Sequence, residues 1–190
     1  LGILNAHGGD LPRYRGNACQ AWAILNGEDR IGLCIHKMIG DELDKGDIIA
    51  REYMAIEENT KVTDCWAWMQ NRTPFLFLEA IKNLQQDSSY VLSKQVDTPS
   101  EALRCYPRNP EDGQIDWGQS NLAVLRLINA SNKPYAGAFC YFEGEKLIVW
   151  DAELVDGQED FCAIPGQVTL VGKTYVEVAC LTGKIRLKEV

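Results

Sequence analysis

Apolar residues change their period several times along the chain, and each change marks an element. Residues 1–7, LGILNAH, form a short apolar run that ends in polar residues. This is the pattern of a buried strand whose carboxyl end reaches a cleft. A loop of Gly, Pro and Arg follows. NACQAWAILNG, residues 17–27, sets apolar residues at helical spacing between an Asn start and an Asn-Gly stop, which predicts a compact helix. Residues 31–38, IGLCIHKM, and 47–56, DIIAREYMAI, read as strands around a Gly- and Asp-rich turn. Residues 59–86 form a long helical segment in which Pro74 predicts a kink or a second start.

The second half has a different texture. A polar connector carries Pro99, Pro107 and Pro110 and has the composition of a linker. Residues 120–131 have the apolar period of an amphipathic helix. Four or five strand-like runs follow: GAFCYFEG, EKLIVWDAELV, GQVTLVG, TYVEVAC and KIRLKEV, separated by Gly and Asp-Gly signals. Many short strands with turn signals suggest a small β-barrel or sandwich. The expected organisation is an α/β unit over residues 1–90, a linker over 91–118, and a helix with a small all-β unit over 119–190. No internal repeat or low-complexity tract interrupts this order.

Composition narrows the function. The 190 residues are 46 % hydrophobic and 24 % charged, as in an ordinary globular protein of one domain or two small ones. The net charge of -8 and pI of about 4.8 argue against general nucleic-acid binding, which draws on Lys and Arg. A small anion held by two or three local arginines remains compatible with it. No run has membrane-spanning length and no signal peptide is visible, so a cytoplasmic protein is expected. The seven cysteines are irregularly spaced, without a C-x-x-C pair, and read as reduced, mostly buried small hydrophobes. No metal ligand set emerges from the sequence. The first residue is Leu and opens directly in an apolar run, as expected if the sequence begins inside a domain.

Chemistry concentrates near the start. Asn5 and His7 lie two apart in a strand and share a face at its carboxyl end, where open α/β sheets keep their sites. An Asn amide suits a developing oxyanion, and a His near neutrality moves protons. A hydrogen-bonded structural pair fits the same two residues. Asp44, in LDKGDII, could orient the imidazole or simply satisfy its own turn. Gly8 and Gly9 would let a ligand approach the backbone. Arg13 and Arg15 flank Tyr14 and could hold a phosphate or carboxylate, or form a solvated loop. His36 shares a strand face with Cys34 and Met38 and reads as a satisfied core or edge histidine. Trp66, Trp68, Trp117 and Trp150 read as core or interface anchors. YPRNPEDGQIDW, residues 106–117, is a structured connector or a segment that folds over the cleft to stack on a base or sugar.

The ordered set N-A-H, L-P-x-Y-R-G, N-G-E-x-x-x-G, I-H-x-M and L-D-x-G-D-I-I resembles the tetrahydrofolate-dependent formyltransferases over residues 3–56. The C-terminal runs look like the OB-like domain that follows the catalytic domain in methionyl-tRNA and nucleotide-sugar formyltransferases. The segment RNPEDGQIDW is similar to the sugar enzymes. The resemblance implies the C-terminal part of a Rossmann-like formyltransferase domain, without its first half of about ninety residues, followed by a small OB-like β-barrel. It implies a catalytic triad of Asn5, His7 and Asp44, and 10-formyltetrahydrofolate as formyl donor, with Asp41, Gly46 and Asp47 on the cofactor side. Gly9, Arg15, Gly16, Asn17, Tyr106 and Arg108 would bind the acceptor, a nucleotide-linked 4-amino deoxy sugar. Such sugars serve lipopolysaccharide or O-antigen synthesis, and a homodimer would fit the family. The alternatives are a methionyl-tRNA formyltransferase and a non-catalytic binding or dimerisation module. Gly9 stands where the family has Ser. Asn17 stands where the aminoarabinose enzyme has Arg, which points to a different sugar.

Overall fold

A computed structural model describes residues 2–95, 102–155 and 160–190. The chain divides into two units, residues 1–57 with 64–108, and residues 58–63 with 109–190.

In the first unit the chain runs through β1 (Leu4–His7), β2 (Tyr14–Gly16), α1 (Cys19–Asn26), β3 (Arg30–Lys37), β4 (Ile48–Ala55), α2 (Val62–Gln86) and β5 (Leu103–Cys105). The main sheet has the order β1-β3-β4 and both pairings are antiparallel. β3 is central and buried from Ile31 to His36, as its near-continuous apolar run requires. Leu76, Ala80 and Leu84, four residues apart on α2, pack on Leu33, Ile35, Ile49 and Ala50. The helix continues through Pro74 as one element.

α1 ends as its sequence predicts. Gly27 adopts φ 68° and its N–H bonds back into the last turn. Its start differs from expectation. Ala18, not Asn17, precedes the helix, because Asn17 donates its N–H to the Cys105 carbonyl at 3.0 Å. This bond extends the parallel β2–β5 ribbon, which puts Gly16 opposite Cys105. Strands of three residues carry no readable alternation, so neither ribbon strand is visible in the sequence.

The second unit opens with a 3₁₀ turn, Pro110–Gly113, closed by reciprocal Asn109–Asp112 bonds. α3 (Asn121–Ala130) follows, capped by the Ser120 hydroxyl. Then come β6 (Ala138–Phe142), β7 (Glu145–Val149), β8 (Asp151–Leu154), β9 (Val168–Val171), β10 (Val176–Ala179) and β11 (Lys184–Glu189). Val124, Leu125 and Ile128 of α3 join Val149, Val178, Ile185 and Leu187 in the core. The described strands form a four-stranded antiparallel sheet, β8-β11-β10-β9, and a β6–β7 hairpin, and no closed sheet is seen among the described residues. The break lies within the run 145–155. Trp150 donates its N–H to Glu189 and its carbonyl accepts from the Asn132 amide at 2.7 Å, so the chain leaves the hairpin there and enters the sheet. Among the described residues no helix is long and apolar enough to cross a membrane.

Candidate active site

The site grows from the β1–β3 register. Asn5 stands opposite His36 and His7 opposite Cys34. Asn5 and His7 therefore share a sheet face, as their spacing predicts, and His36 comes to the same place from the neighbouring strand. His36 Nδ1 lies 3.0 Å from the Lys37 carbonyl, which assigns its hydrogen to Nδ1. Its Nε2 then accepts from the Asn5 amide at 3.2 Å. His36 is thus both a buried, satisfied histidine and the residue that orients Asn5.

His7 is oriented from its far side. Nε2 donates to the Tyr14 carbonyl at 2.7 Å, so Nδ1 carries the lone pair. That Nδ1 faces Asp44 Oδ2 at 3.5 Å, and His36 Nε2 lies 3.6 Å from Asp44 Oδ1. The two rings meet edge to face with centroids 6.2 Å apart. Gly9 leaves room for this arrangement. A Cβ there would meet the Tyr14 carbonyl at 2.5 Å and His7 Nε2 at 2.6 Å, so its missing side chain serves the His7 anchor.

Asp44 reaches the rings from the turn between β3 and β4. It adopts φ 53°, a left-handed conformation that Asp tolerates better than most side chains. Gly16 N–H donates to its Oδ2 at 2.9 Å. Gln95 bonds the Asp44 and Gly46 carbonyls, each at 2.7 Å, and accepts from Arg15 at 3.1 Å. Gly46 lies against the Lys37 carbonyl with no space for a Cβ, and Lys37 N–H donates to the Asp47 carbonyl. Gly46 and Asp47 therefore hold the turn closed, while Asp41 is exposed at its tip. A cavity of about 250 Å³ lies between the turn and the sheet, lined by His36, Met38, Asp41 and Asp44 among others. A second, of about 390 Å³, is lined by Arg15, Lys45 and Arg104 with Asp41 and Glu42.

Burial lowers the His7 imidazole below its ordinary value and outweighs Asp44 and the Tyr14 carbonyl, which raise it. Burial also pushes the Asp44 carboxyl up. The His36 and His7 rings, when protonated toward it, and the Gly16 N–H favour the carboxylate and together bring it below the ordinary value. The result is a neutral imidazole beside an ionised carboxylate. A proton arriving at Nδ1 would meet that carboxylate at once.

The remaining expected residues collect along the β2–β5 ribbon. Arg15, Gly16 and Asn17 lie on one strand and its exit, and Tyr106 follows the other. Tyr106 is 66 % exposed and its carbonyl accepts from the Trp22 indole at 2.9 Å. Arg104 lies over the Tyr106 ring and Arg108 over the Trp22 ring. Sequence reasoning did not single out Gln95 or Arg104, and it gave His36 only a structural role. Their parts depend on pairings across long sequence separations. For His36, the strand alternation shared with the Asn-x-His run was the available signal. Among the described residues no group of three or more His, Cys, Asp or Glu is arranged to hold a metal.

Comparison with known proteins places these features in a family. Residues 1–81 match the family model described as formyl transferase, and residues 108–190 match the formyl transferase C-terminal domain. Among solved structures, HypX from Aquifex aeolicus in complex with tetrahydrofolic acid superposes with TM-score 0.68 at 22 % identity, over 97 % of this chain and 31 % of that one. An N-formyltransferase from Helicobacter canadensis, in complex with folinic acid and dTDP-3-aminofucose, gives TM-score 0.76 at 19 % identity, over 99 % of this chain and 66 % of that one. A 4-N formyltransferase from Francisella tularensis gives 0.62 at 24 %, over 77 % and 60 %. The chain thus spans about a third of the HypX protein and about two thirds or less of the others.

Proposed function

For a chain that belongs to the formyl transferase family, we propose transfer of a formyl group from 10-formyltetrahydrofolate to the amine of a nucleotide-linked amino deoxy sugar. One observation carries the reading. Asn5, His7 and Asp44 converge with their hydrogen-bonding atoms pre-set, Asn5 by His36, His7 by Tyr14 and Asp44 by Gly16.

The chemistry follows from that geometry. The amine nitrogen attacks the formyl carbon, and the carbonyl oxygen becomes an oxyanion. An Asn5 amide hydrogen not used by His36 is its donor. The amine loses its proton to His7 Nδ1, and the Asp44 carboxylate stabilises the imidazolium that forms. Collapse of the tetrahedral intermediate expels the folate nitrogen, which recovers the proton. The cavity between the turn and the sheet is the folate side. The cavity lined by Arg15, Lys45 and Arg104, with Asp41 and Glu42 on its rim, offers guanidinium and ammonium donors to the phosphates of the acceptor, and the exposed Tyr106 ring offers its base a stacking face. Neighbouring structures hold both folates and a dTDP-linked amino sugar, which supports this pairing. The amine at sugar position 4 is the expected one, and the net charge of -8 disfavours a tRNA acceptor.

The test is formyl transfer by the protein with its flanking residues in place. Acceptors are a panel of nucleotide-linked 4-amino and 3-amino sugars, with initiator methionyl-tRNA in parallel. Turnover of one sugar and not the tRNA is expected, with a loss of about 10²–10⁴-fold in His7→Ala. Formylation of the tRNA alone would overturn the sugar reading, and full turnover by His7→Ala would remove His7 from the chemistry.

A further inference from the structure

The turn that carries Asp44 is held by a side chain 51 residues further along, Gln95. The backbone just before Gln95 is pinned to the start of β4, where the Ile48 carbonyl accepts from Leu92 and the Ile48 N–H donates to Ser93, both at 2.9 Å. From there Gln95 Nε2 donates to the Asp44 and Gly46 carbonyls, and Oε1 accepts from the Arg15 guanidinium at 3.1 Å. The partners fix the orientation of the amide, because two carbonyls face only an NH₂ group and a guanidinium only an oxygen. They also fix the residue type. A carboxylate would set its charge against both carbonyls, and an ammonium would face the Arg15 cation.

Arg15 is also a wall of the cavity of about 390 Å³, together with Arg104, which stands opposite it in the β2–β5 ribbon. Leu43 and Lys45, the chain neighbours of Asp44, form another wall of that cavity, so the turn that bears the carboxylate also shapes the space beside it. Gly16, next to Arg15, donates its N–H to Asp44 Oδ2 at 2.9 Å. Asp44 is therefore tied to β2 twice, at its carboxylate by Gly16 and at its backbone through Gln95 and Arg15. All of these residues belong to the first unit.

Given the phosphate-bearing acceptor proposed above, on which this step rests, we infer that Gln95 is a positioning residue that couples phosphate in this cavity to the placement of Asp44 beside His7. A phosphate oxygen bonded to Arg15 fixes the guanidinium from the cavity side. Gln95 passes that constraint to the carbonyls of Asp44 and Gly46. The Asp44 carboxylate stands 3.5 Å from His7 Nδ1, outside the range of about 2.7–2.9 Å for a charge-assisted hydrogen bond, so a shift of under about 1 Å completes the pair. Binding energy from the part of the acceptor that does not react is thereby used to arrange the groups that do, and it appears in kcat rather than in KM.

Inorganic pyrophosphate is the probe, titrated into the protein with its flanking residues in place. His7 and His36 face the two Asp44 oxygens, so their ring signals in NMR report on the carboxylate from both sides. At saturation the wild-type ring signals are expected to shift. In Gln95→Leu, and in Gln95→Glu of the same shape, pyrophosphate still binds and the shift is largely lost. This readout needs no formyl transfer. In the transfer assay, pyrophosphate should raise wild-type turnover of the free amino sugar about tenfold, and Gln95→Leu should lose about tenfold in kcat on the nucleotide-linked acceptor with KM unchanged. Ring shifts that are equal in wild type and both variants overturn the relay, as does a defect confined to KM. Failure of folded wild type to bind pyrophosphate overturns the relay together with the phosphate role of the cavity. Ring shifts that depend on Gln95 in a protein that formylates no amino sugar uphold the relay and overturn the acceptor reading alone.

Discussion

Asp44 and Asp151 are both aspartates held between two bases, and burial sets them apart. Asp151 bonds Lys61 at 2.7 Å and Lys188 at 2.9 Å, and a surface ladder continues through Glu153 and Arg186 to Glu177. Its side chain is 27 % exposed, whereas that of Asp44 is 9 % exposed. Asp151's partners are cations at every physiological pH, so its environment is fixed, well solvated and weakly stabilising. Asp44's partners are two imidazoles and a backbone N–H, so the field it feels changes when one proton moves. A charge cluster becomes a candidate site when it is dry and its partners titrate near neutrality.

Substitutions at the two clusters should separate these roles. The largest effect is expected from Asp44→Asn, which keeps the shape and tolerates the left-handed backbone but removes the charge. Formyl transfer should fall by about 10²–10⁴-fold, while the variant stays folded at the assay temperature despite losing the stability its ionised carboxylate contributes. Equal activity would return Asp44 to the role of a turn residue. Gly46→Ala should act through position instead. Its Cβ would overlap the Lys37 carbonyl, and the strain should cost about 1–3 kcal/mol in denaturant unfolding. A wild-type midpoint would show that the turn can shift without cost.

The pH dependence of stability comes next. His7 and Asp44 are both held below their ordinary values, so the unfolded chain takes each proton first. The His7 contribution is whole above its ordinary value of 6.5 and is lost as pH falls from there through its lowered folded value. Asp44 follows below 3.8. Between about pH 7 and pH 5 the urea midpoint of wild type should therefore fall more steeply than that of His7→Gln. Parallel slopes would mean that burial does not shift His7. The smallest effect is expected at the exposed ladder, where Lys188→Ala should change stability by less than about 1 kcal/mol in the same assay. A larger loss would mean that the ladder acts as a cooperative network.

Periodicity alone located α1, β3, β4, α2 and α3 within a few residues, because each buries a face over enough length to write a period into the sequence. Asn5 and His7 were legible for the same reason, as alternate positions of one strand. The β2–β5 ribbon was not. Its three-residue strands pair segments almost ninety residues apart, and nothing local records that contact. The break at Trp150 was not legible either, because one apolar run serves both the hairpin and the sheet and only backbone bonding separates them.

The sequence by itself determined which chemical groups are present and which share a strand face, since strand and helix periods are properties of the local backbone. It also carried the ordered motifs that mark the formyl transferase family. Tertiary structure alone decided that His36 orients Asn5, that Gly16 and Gln95 set Asp44, and that Arg15 meets Gln95. Those relations depend on register, on a left-handed turn residue and on burial. Each arises from packing between segments distant in sequence, so no window of the chain contains them.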